Sequence, residues 1–194
     1  INNNNNIMAV KKTSIFRTIA TLAVASMISV GDMVTRTFNV PWLYNSVSQV
    51  ALVYFCTDWI GLDIEFVGHH AVAALVMLAS SFGPAENLDL YYRYATLEYS
   101  TVFINLYHLT KKEYYKIFFV LTWFYYRTYL FTKWVIEGNW VTDVEYVCTD
   151  HPIYNGVVCK YVFTVSNVTI TALNFYWTYL ICEKISRSLS GRPV

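Results

Sequence analysis

The stretch "EFVGHHAVAALVMLASSFG", from Glu65 to Gly83, decides how this chain folds. After two adjacent histidines it is almost entirely apolar, and it ends at Gly83-Pro84, which is a strong stop signal for a helix. A helix that spans a membrane needs about 20 mainly apolar residues, so this stretch is a candidate span. Imidazole is costly to place in hydrocarbon. His69 and His70 therefore either lie at the edge of the span or serve a function there.

The composition of the whole chain is typical of a membrane protein. Hydrophobic residues make up 56% of it and charged residues 14%, whereas soluble domains carry about 25% charged residues. The length of 194 residues indicates a single domain. The formal net charge of +1 excludes the broad basic surface of a nucleic-acid-binding protein.

Further apolar segments accompany this stretch and predict an all-α membrane protein. We expect about six transmembrane helices in a compact bundle around a polar interior, because only helices and closed barrels satisfy the backbone inside a bilayer. The second predicted span opens with Pro41 near its first turn. The six predicted spans run from about Ile15 to Gly31, Trp42 to Ile60, Phe66 to Phe82, Leu90 to Leu109, Tyr115 to Ile136 and Val157 to Cys182.

The positive charges between these spans predict which side each loop faces. Lys and Arg cluster in segments that would share one side of a six-span protein, as the positive-inside rule requires of the cytosolic side. We therefore predict an even number of spans with both termini in the cytosol. The predicted cytosolic charges are Lys11, Lys12, Arg17, the segment "KKEYYK", Lys184, Arg187 and Arg192. The predicted opposite side holds Arg36 with Asp32, Glu86, Asp89, Asp143, Glu145 and Asp150.

The two ends of the chain are expected to differ from the membrane domain. Residues 1–10 are polar and of low complexity, so we predict a disordered N-terminus. Asn and Ile have codons made of A and T alone, and the repeat suggests translated upstream sequence with a natural start at Met8. An intact terminal peptide beginning at Ile1 would contradict that hypothesis. The transmembrane domain is predicted over residues 11–185 and a short cytosolic tail over residues 186–194.

The four cysteines fall into two groups. Cys148 and Cys159 flank the loop "EYVCTDHPIYNGVVC" on the predicted non-cytosolic side, where a disulfide and two free thiols are about equally expected. Cys56 and Cys182 fall within spans and are expected to pack as small apolar residues. Histidines and cysteines are scattered without close ligand spacing, so we predict no metal site.

Polar residues follow helical periodicity in two of the predicted spans. Steps of three and four residues place each set on one helix face. Such stripes either hold helices together by hydrogen bonds or line a site, because ionisable groups inside a membrane are functional candidates. The stripe of the fourth span is Glu98, Thr101, Asn105 and His108, and that of the sixth is Asn167, Thr171, Asn174 and Thr178.

Single charges complete this predicted polar interior. Asp58 closes the second span in "YFCTDWIG", and Arg127 lies midway along the fifth in "WFYYRTYLF". An unpaired charge in the membrane is costly, so we expect Glu98 and Arg127 to pair or to share a water-filled cavity. The pair is equally compatible with a structural ion pair and with part of a site. His108 lies before "TKKE" and is interpreted as a residue of the membrane boundary.

The histidine doublet has two interpretations of equal weight. Adjacent residues of a helix point about 100° apart, so His69 and His70 cannot face in one direction. One ring can face the interior while its neighbour orients it, which suits proton transfer or nucleophilic catalysis near neutral pH. The other interpretation places both rings, partly hydrated and without function, near the cytosolic face.

Three blocks together resemble the signature of the TLC-domain family of multi-pass membrane proteins. The blocks are "YFCTDWIGLDIEFVGHHAVAALVML", "LEYSTVFINLYHLTKK" and "LNFYWTYLI". The family includes translocon-associated membrane proteins, ceramide synthases and the neuronal ceroid-lipofuscinosis membrane protein. The resemblance extends from the first span to Cys182. The matching positions are Asp58, His69, His70, Glu98, Ser100, Thr101, Asn105, Arg127, Asn174 and Trp177.

The resemblance implies a helical bundle around a polar interior, often in the endoplasmic reticulum, with a role in lipid metabolism, lipid sensing or trafficking. In ceramide synthases the doublet is tied to acyl transfer from acyl-coenzyme A to a sphingoid amine. Carried over to this chain, His69 and His70 would remove the amine proton or accept the acyl group. Glu98 and Arg127 would shape and polarise the cavity. The implied partners are membrane lipids and acyl-coenzyme A as co-substrate, with no resident cofactor.

The chain also departs from the ceramide-synthase pattern. "AVAALVMLASSFG" follows the doublet without an acidic residue, whereas ceramide synthases continue with a polar stretch containing aspartates. The chain is short and resembles the small, uncharacterised TLC-domain proteins. Two functions therefore remain open: an acyl-coenzyme A-dependent acyltransferase, or a non-enzymatic lipid-binding, membrane-regulating or trafficking factor. We expect an endoplasmic-reticulum or host endomembrane location, and the sequence leaves a monomer and a homodimer open.

Overall fold

The computed structural model describes residues 15–58, 62, 64–82, 88–149 and 155–190. Every regular element within these ranges is a helix, which confirms the all-α prediction. Several predicted features lie outside the described residues: the N-terminal segment 1–10 with Met8, the stop at Gly83-Pro84, and the charges of Lys11, Lys12, Glu86, Asp150 and Arg192.

The helices follow one another with short connections. A π-helical segment joins α6 to α7 without a break, because the residues at both junctions keep helical backbone angles. The elements are α1 (Ile15–Phe38), α2 (Pro41–Thr57), α3 (Ile64–Phe82), α4 (Leu88–Ala95), α5 (Glu98–Thr110), α6 (Tyr114–Thr122), the π-helical segment (Trp123–Leu130), α7 (Phe131–Ile136), α8 (Asn139–Thr149) and α9 (Gly156–Leu189).

Each predicted span coincides with one helix or with helices in series. Among the described residues, α1 with 24 residues and α9 with 34 are both long and apolar enough to cross a membrane. The apolar part of α3 is the shorter segment Phe66–Ala79. The membrane crossing of α2, of α3, of α4 with α5, and of α6 through α7 stays a prediction.

The first helix continues well past Gly31, where the first span was predicted to end, and reaches Phe38. Its interior includes Asp32, which is fully buried. The carboxylate accepts hydrogen bonds from the Tyr99 hydroxyl at 2.6 Å and from the Arg36 Nε at 2.9 Å. These two donors compensate the burial of the charge, so the helix can continue through a residue that reads as a loop signal in the sequence.

Three other boundaries differ from the prediction. The fourth span is divided at Thr96 and Leu97, where α4 ends and α5 begins. The region after the fifth span contains α8, which the sequence did not predict as a helix. The last helix continues to Leu189, so part of the predicted tail is helical. Cys56 and Cys182, expected to pack inside, are exposed on the outside of the bundle.

A disulfide joins α8 to the start of α9. It links Cys148 and Cys159, whose Cα atoms lie 5.5 Å apart. A second link lies beside it, where the Lys160 Nζ donates to the Glu145 carboxylate at 2.8 Å. This hydrogen bond holds the pKa of Glu145 below its usual range. The end of α8 and the start of α9 are thus joined by two links.

Contacts between neighbouring helices position the polar interior of the bundle. The second helix packs on α1 and α3, and α3 packs in turn on α9. On the other side, α1 packs against α5, which also contacts α6 and the π-helical segment. Every segment that carries a predicted site residue therefore adjoins the same interior.

Close packing of α1 on α2 depends on a glycine. A Cβ atom added at Gly31 would lie 2.9 Å from the Cγ2 of Val47, which is too close for any real side chain. We expect Gly31→Val to lower the free energy of unfolding by about 1–3 kcal/mol through overpacking. Thermal unfolding in detergent measures the loss. Gly68→Val is the matched control, because a Cβ there meets no atom within 4 Å; equal melting temperatures would contradict the prediction.

Candidate functional site

The histidine doublet of α3 faces two different neighbours. His69 points to α9, where its ring centroid lies 5.6 Å from that of Trp177. Trp177 also stacks on Phe66 at 5.6 Å and lies 5.9 Å from Trp123. We call Phe55, Phe66, Trp123 and Trp177 the aromatic cluster; Phe55 approaches His69 from α2 at 6.3 Å. The half-buried ring of His69 is thus surrounded by aromatic side chains on several sides.

The second histidine points toward α2 and is more deeply buried. His70 is 7% exposed, and its ring lies 5.3 Å from Phe55 and 5.8 Å from Tyr54. Its Nδ1 atom has no hydrogen-bond partner among the described residues. The rings of His69 and His70 are 5.8 Å apart, so the doublet forms one site with two faces. Within the described chain, this Nδ1 atom of His70 is therefore free to bind a water molecule or a ligand.

Asp58 lies at the cytosolic end predicted for α2 and belongs to a small polar network. Its Oδ1 accepts from the Arg17 Nε at 2.8 Å, and its Oδ2 accepts from the Tyr54 hydroxyl at 2.9 Å. Thr21 of α1 shares a further hydrogen bond with Tyr54 at 2.7 Å. The network ties α1 to α2 and lies on the side that His70 faces, since both Asp58 and Arg17 interact electrostatically with that ring.

Arg127 is held by α5 through a fork of hydrogen bonds. The guanidinium is 3% exposed. Its Nε donates to the Leu97 carbonyl and to the Ser100 hydroxyl, both at 2.9 Å, and its Nη2 donates to the Thr101 hydroxyl at 3.1 Å. The Leu97 carbonyl, at the N-cap of α5, also accepts from the Ser100 hydroxyl at 3.2 Å. Arg127 therefore binds the first turn of α5 at three neighbouring residues.

Two further contacts complete the environment of Arg127. Its Nη2 lies 3.7 Å from the Glu98 carboxylate, and the guanidinium carbon lies 4.6 Å above the ring of Trp123. Arg127 and Trp123 both belong to the π-helical segment, a rare geometry that often occurs at functional sites. The positive charge also acts on His69. Arg127 therefore links the acidic side of the interior to the aromatic cluster.

The polar stripe of α5 is buried at its start and exposed at its end. Glu98 and Asn105 are buried, and the Asn105 Nδ2 donates to the Thr101 carbonyl at 2.8 Å within the same helix. His108 is exposed near the end of α5, just before Lys111 with its left-handed backbone. The first three residues of the stripe thus face the interior, and His108 does not join them.

The stripe of α9 contains both satisfied and unsatisfied groups. The Asn167 Oδ1 accepts from the Tyr94 hydroxyl at 2.6 Å. Thr178 accepts from the Trp123 Nε1 at 2.9 Å, which fixes one member of the aromatic cluster. Neither the Nδ2 nor the Oδ1 of Asn174 has a partner among the described residues. Asn174 lies about one turn before Trp177, the residue of α9 whose ring contacts His69.

The structure therefore brings most of the predicted site residues to one interior. His69, Trp177 and Asn174 lie at its α9 side, His70 and Asp58 at its α2 side, and Glu98, Thr101, Asn105 and Arg127 at its α5 side. Two depressions in the described surface lie elsewhere, at the end of α9 and between α4 and α8. No three metal-ligating side chains converge in the described part of the chain.

Three residues of the interior were not predicted as such from the sequence. Arg17 was assigned to the cytosolic terminus, although its predicted side is also that of Asp58, which could have suggested the pair. Tyr54 lies one helical turn before Asp58, a spacing that allows its hydroxyl to reach the carboxylate. Asp32 was assigned to a loop, and its contact with Tyr99 on another helix left no signal in the sequence.

Comparison with known proteins gives one match. A family model described as the TLC domain matches residues 18–183 of this chain. The matched region begins in α1, includes every predicted site residue and ends within α9. No curated protein and no solved structure matches the chain.

Proposed function

Since the chain belongs to the TLC-domain family of integral membrane proteins, we propose that it acts in lipid metabolism as a histidine-dependent acyltransferase. The proposed reaction moves a fatty acyl group from acyl-coenzyme A to the amine or hydroxyl of a lipid. The observation that supports it most is the doublet itself. His69 lies within an aromatic cluster, and the adjacent His70 is buried with a ring nitrogen that has no partner in the described chain.

The proposed reaction has two steps, with the rings in different roles. In the first, a ring nitrogen of His69 attacks the thioester carbonyl; a C–N bond forms, the C–S bond breaks, and the imidazole proton passes to the departing thiolate. In the second, the lipid amine or hydroxyl attacks the acyl-imidazole. The new C–N or C–O bond replaces the bond to His69. His70 takes the proton of the attacking group and returns it to the departing nitrogen of His69, which restores both neutral rings. The products are an acylated lipid and free coenzyme A.

The surroundings of the doublet suit these roles. Arg127 is fixed by the Leu97 carbonyl and the hydroxyls of Ser100 and Thr101, so its positive charge has one defined position near His69. A charge that is positioned in advance stabilises the negative charge that develops on a carbonyl oxygen during attack. The network of Asp58, on the other face, lies where it can orient His70.

The experiment that tests this function compares lipids in membranes fed labelled fatty acid. Wild type is expected to produce a labelled lipid class that is absent with His69→Ala/His70→Ala at matched protein levels. The control is His108→Ala, which removes an exposed histidine of the same chemistry outside the site and should leave the lipid unchanged. Identical lipid profiles from wild type and the double variant, with both proteins folded, would contradict the acyl transfer.

A second candidate function is lipid binding without turnover. It is favoured by the apolar course of α3 after His70, which offers no acidic side chain to assist the chemistry. The aromatic cluster beside His69 would then serve as a contact surface for an acyl chain. A lipid that copurifies equally with wild type and the double variant, without any labelled product, would support this alternative.

We also propose an endoplasmic-reticulum location with both termini in the cytosol. The disulfide between Cys148 and Cys159 supports it, because such bonds form on the oxidising, lumenal side. Cysteines introduced by Glu113→Cys and Thr142→Cys, with Cys56 and Cys182 replaced by serine, should label from opposite sides of sealed vesicles. Labelling of both from the same side would overturn this orientation.

A further inference from the structure

Asn174 on α9 has an unusual environment. Its side chain is 2% exposed, and both its Nδ2 and its Oδ1 lack a hydrogen-bond partner within the part of the chain that the structure describes. Two other buried asparagines contrast with it: the Asn105 Nδ2 donates to the Thr101 carbonyl, and the Asn167 Oδ1 accepts from Tyr94, which leaves Asn167 with one group unpartnered among the described residues where Asn174 has two. A buried amide with both hydrogen bonds unmade lowers the stability of the fold, so its presence calls for another explanation.

The position of Asn174 points to the histidine site. It precedes Trp177 by three residues, which is a rise of about 4.5 Å along the helix. Trp177 is the residue of α9 that contacts His69, and α3 packs along α9 at this level. From the prediction that α9 ends in the cytosol, Asn174 lies about one turn deeper in the membrane than Trp177.

The chemistry of the amide limits which ligand it can bind. An asparagine side chain is neutral and offers donor hydrogens on Nδ2 and an acceptor on Oδ1. A phosphate would require a cation, and the Nε and Nη2 of Arg127 are already engaged by α5. A carbonyl oxygen matches the donor, and an amine or hydroxyl hydrogen matches the acceptor. An acyl group and its acceptor supply these two groups.

We propose that Asn174 binds the carbonyl oxygen of the fatty acyl group through its Nδ2. This inference rests on the proposed function, since it takes an acyl group as the ligand. The Oδ1 then accepts the hydrogen bond of the incoming amine or hydroxyl. Asn174 thereby places the carbonyl beside the ring of His69 and adds a second donor to the charge of Arg127, at the oxygen where negative charge develops.

The test replaces the amide with an apolar side chain of similar volume. Asn174→Leu is expected to raise the melting temperature by about 2–4 °C, because it removes unsatisfied polar groups. The same variant is expected to lose acyl transfer by about 100- to 1000-fold, as for the loss of one oxyanion donor. A merely structural amide would give one effect without the other. Both quantities are measured on the purified full chain in lipid nanodiscs.

Ser166→Ala is the matched control. Ser166 is 1% exposed on the same helix, and its Oγ has no partner among the described residues. It lies eight residues before Asn174, about 12 Å along α9, so it is far from the histidines. This variant should match or exceed the wild-type melting temperature and keep wild-type transfer. Loss of transfer in Ser166→Ala to the same extent as in Asn174→Leu would overturn the assignment.

A second measurement uses wild type and so does not depend on how a variant folds. The probes are the methyl ester of a photoactivatable fatty acid and the matching hydrocarbon that lacks the ester group. Wild type should crosslink the ester more strongly, and Asn174→Leu should crosslink both alike. Equal crosslinking of the two probes to wild type would overturn the role of Asn174. Preferential crosslinking without any transfer would retain Asn174 as a binding residue and reject the proposed acyltransferase.

Discussion

Substituting Arg127 with methionine is expected to lower the free energy of unfolding by about 3–5 kcal/mol. The guanidinium is 3% exposed and binds the Leu97 carbonyl and the hydroxyls of Ser100 and Thr101. Methionine fills a similar volume but removes the donor to the Ser100 and Thr101 hydroxyls and the cation beside the Glu98 carboxylate. Unpaired buried groups carry a large desolvation penalty, and the carboxylate contributes most of it.

Denaturant unfolding of the purified chain in detergent measures this loss. Arg187→Met is the matched control, because Arg187 forms an exposed ion pair with Glu183 near the end of α9, where a change of about 0.5 kcal/mol or less is expected. Arg127→Lys should lie between the two, since lysine keeps the charge but cannot reproduce the planar fork. If Arg127→Met and Arg187→Met have the same free energy of unfolding, Arg127 does not hold α5 to the π-helical segment.

The second large effect is expected from substituting the two histidines one at a time. The two variants should differ, because the rings have different roles in the proposed reaction. His69→Ala should remove formation of an acylated protein altogether and lower lipid acylation by about 1000-fold or more, since it deletes the nucleophile. His70→Ala should still form the acylated protein but release it about 100- to 10,000-fold more slowly, because a general base is lost. The reason is geometric: His69 faces Trp177, whereas His70 faces Tyr54 and the network of Asp58.

Rapid acid quenching after mixing with labelled acyl-coenzyme A separates these two outcomes. The label bound to protein and the label in extracted lipid are counted at each time. The double variant should be no worse than His69→Ala alone, since residues that act as a unit are not additive. His108→Ala should behave as wild type. If His69→Ala forms as much acylated protein as wild type, His69 is not the nucleophile.

The sequence predicted the features that depend on local pattern. Apolar length predicted helices at each of the six proposed spans, and periodicity placed Glu98 and Asn105 on the inner face of α5. The adjacent histidines were expected to diverge, and their rings do face different helices. These features follow from the chain itself, because side-chain direction along a helix is fixed by its geometry.

The features that the sequence did not predict depend on contacts between distant segments. Asp32 reads as a loop residue until Tyr99 of another helix compensates its burial. The break at Leu97 carries no glycine or proline, and its carbonyl accepts from Arg127 of the π-helical segment as well as from the nearby Ser100 hydroxyl. Arg17 and Asp58 pair across two helices. Local propensity could not indicate any of these, because each is stabilised by a partner far away in the sequence.

The central claim, histidine-dependent acyl transfer to a lipid, is tested most directly with the purified full chain. Wild type and His69→Ala/His70→Ala, matched in melting temperature, are placed in nanodiscs of mixed membrane lipids and given labelled acyl-coenzyme A. We predict that wild type releases several equivalents of labelled lipid and free coenzyme A per protein, and that the double variant releases neither. Equal labelled lipid from both proteins, or none above the empty nanodisc from wild type, would contradict the claim.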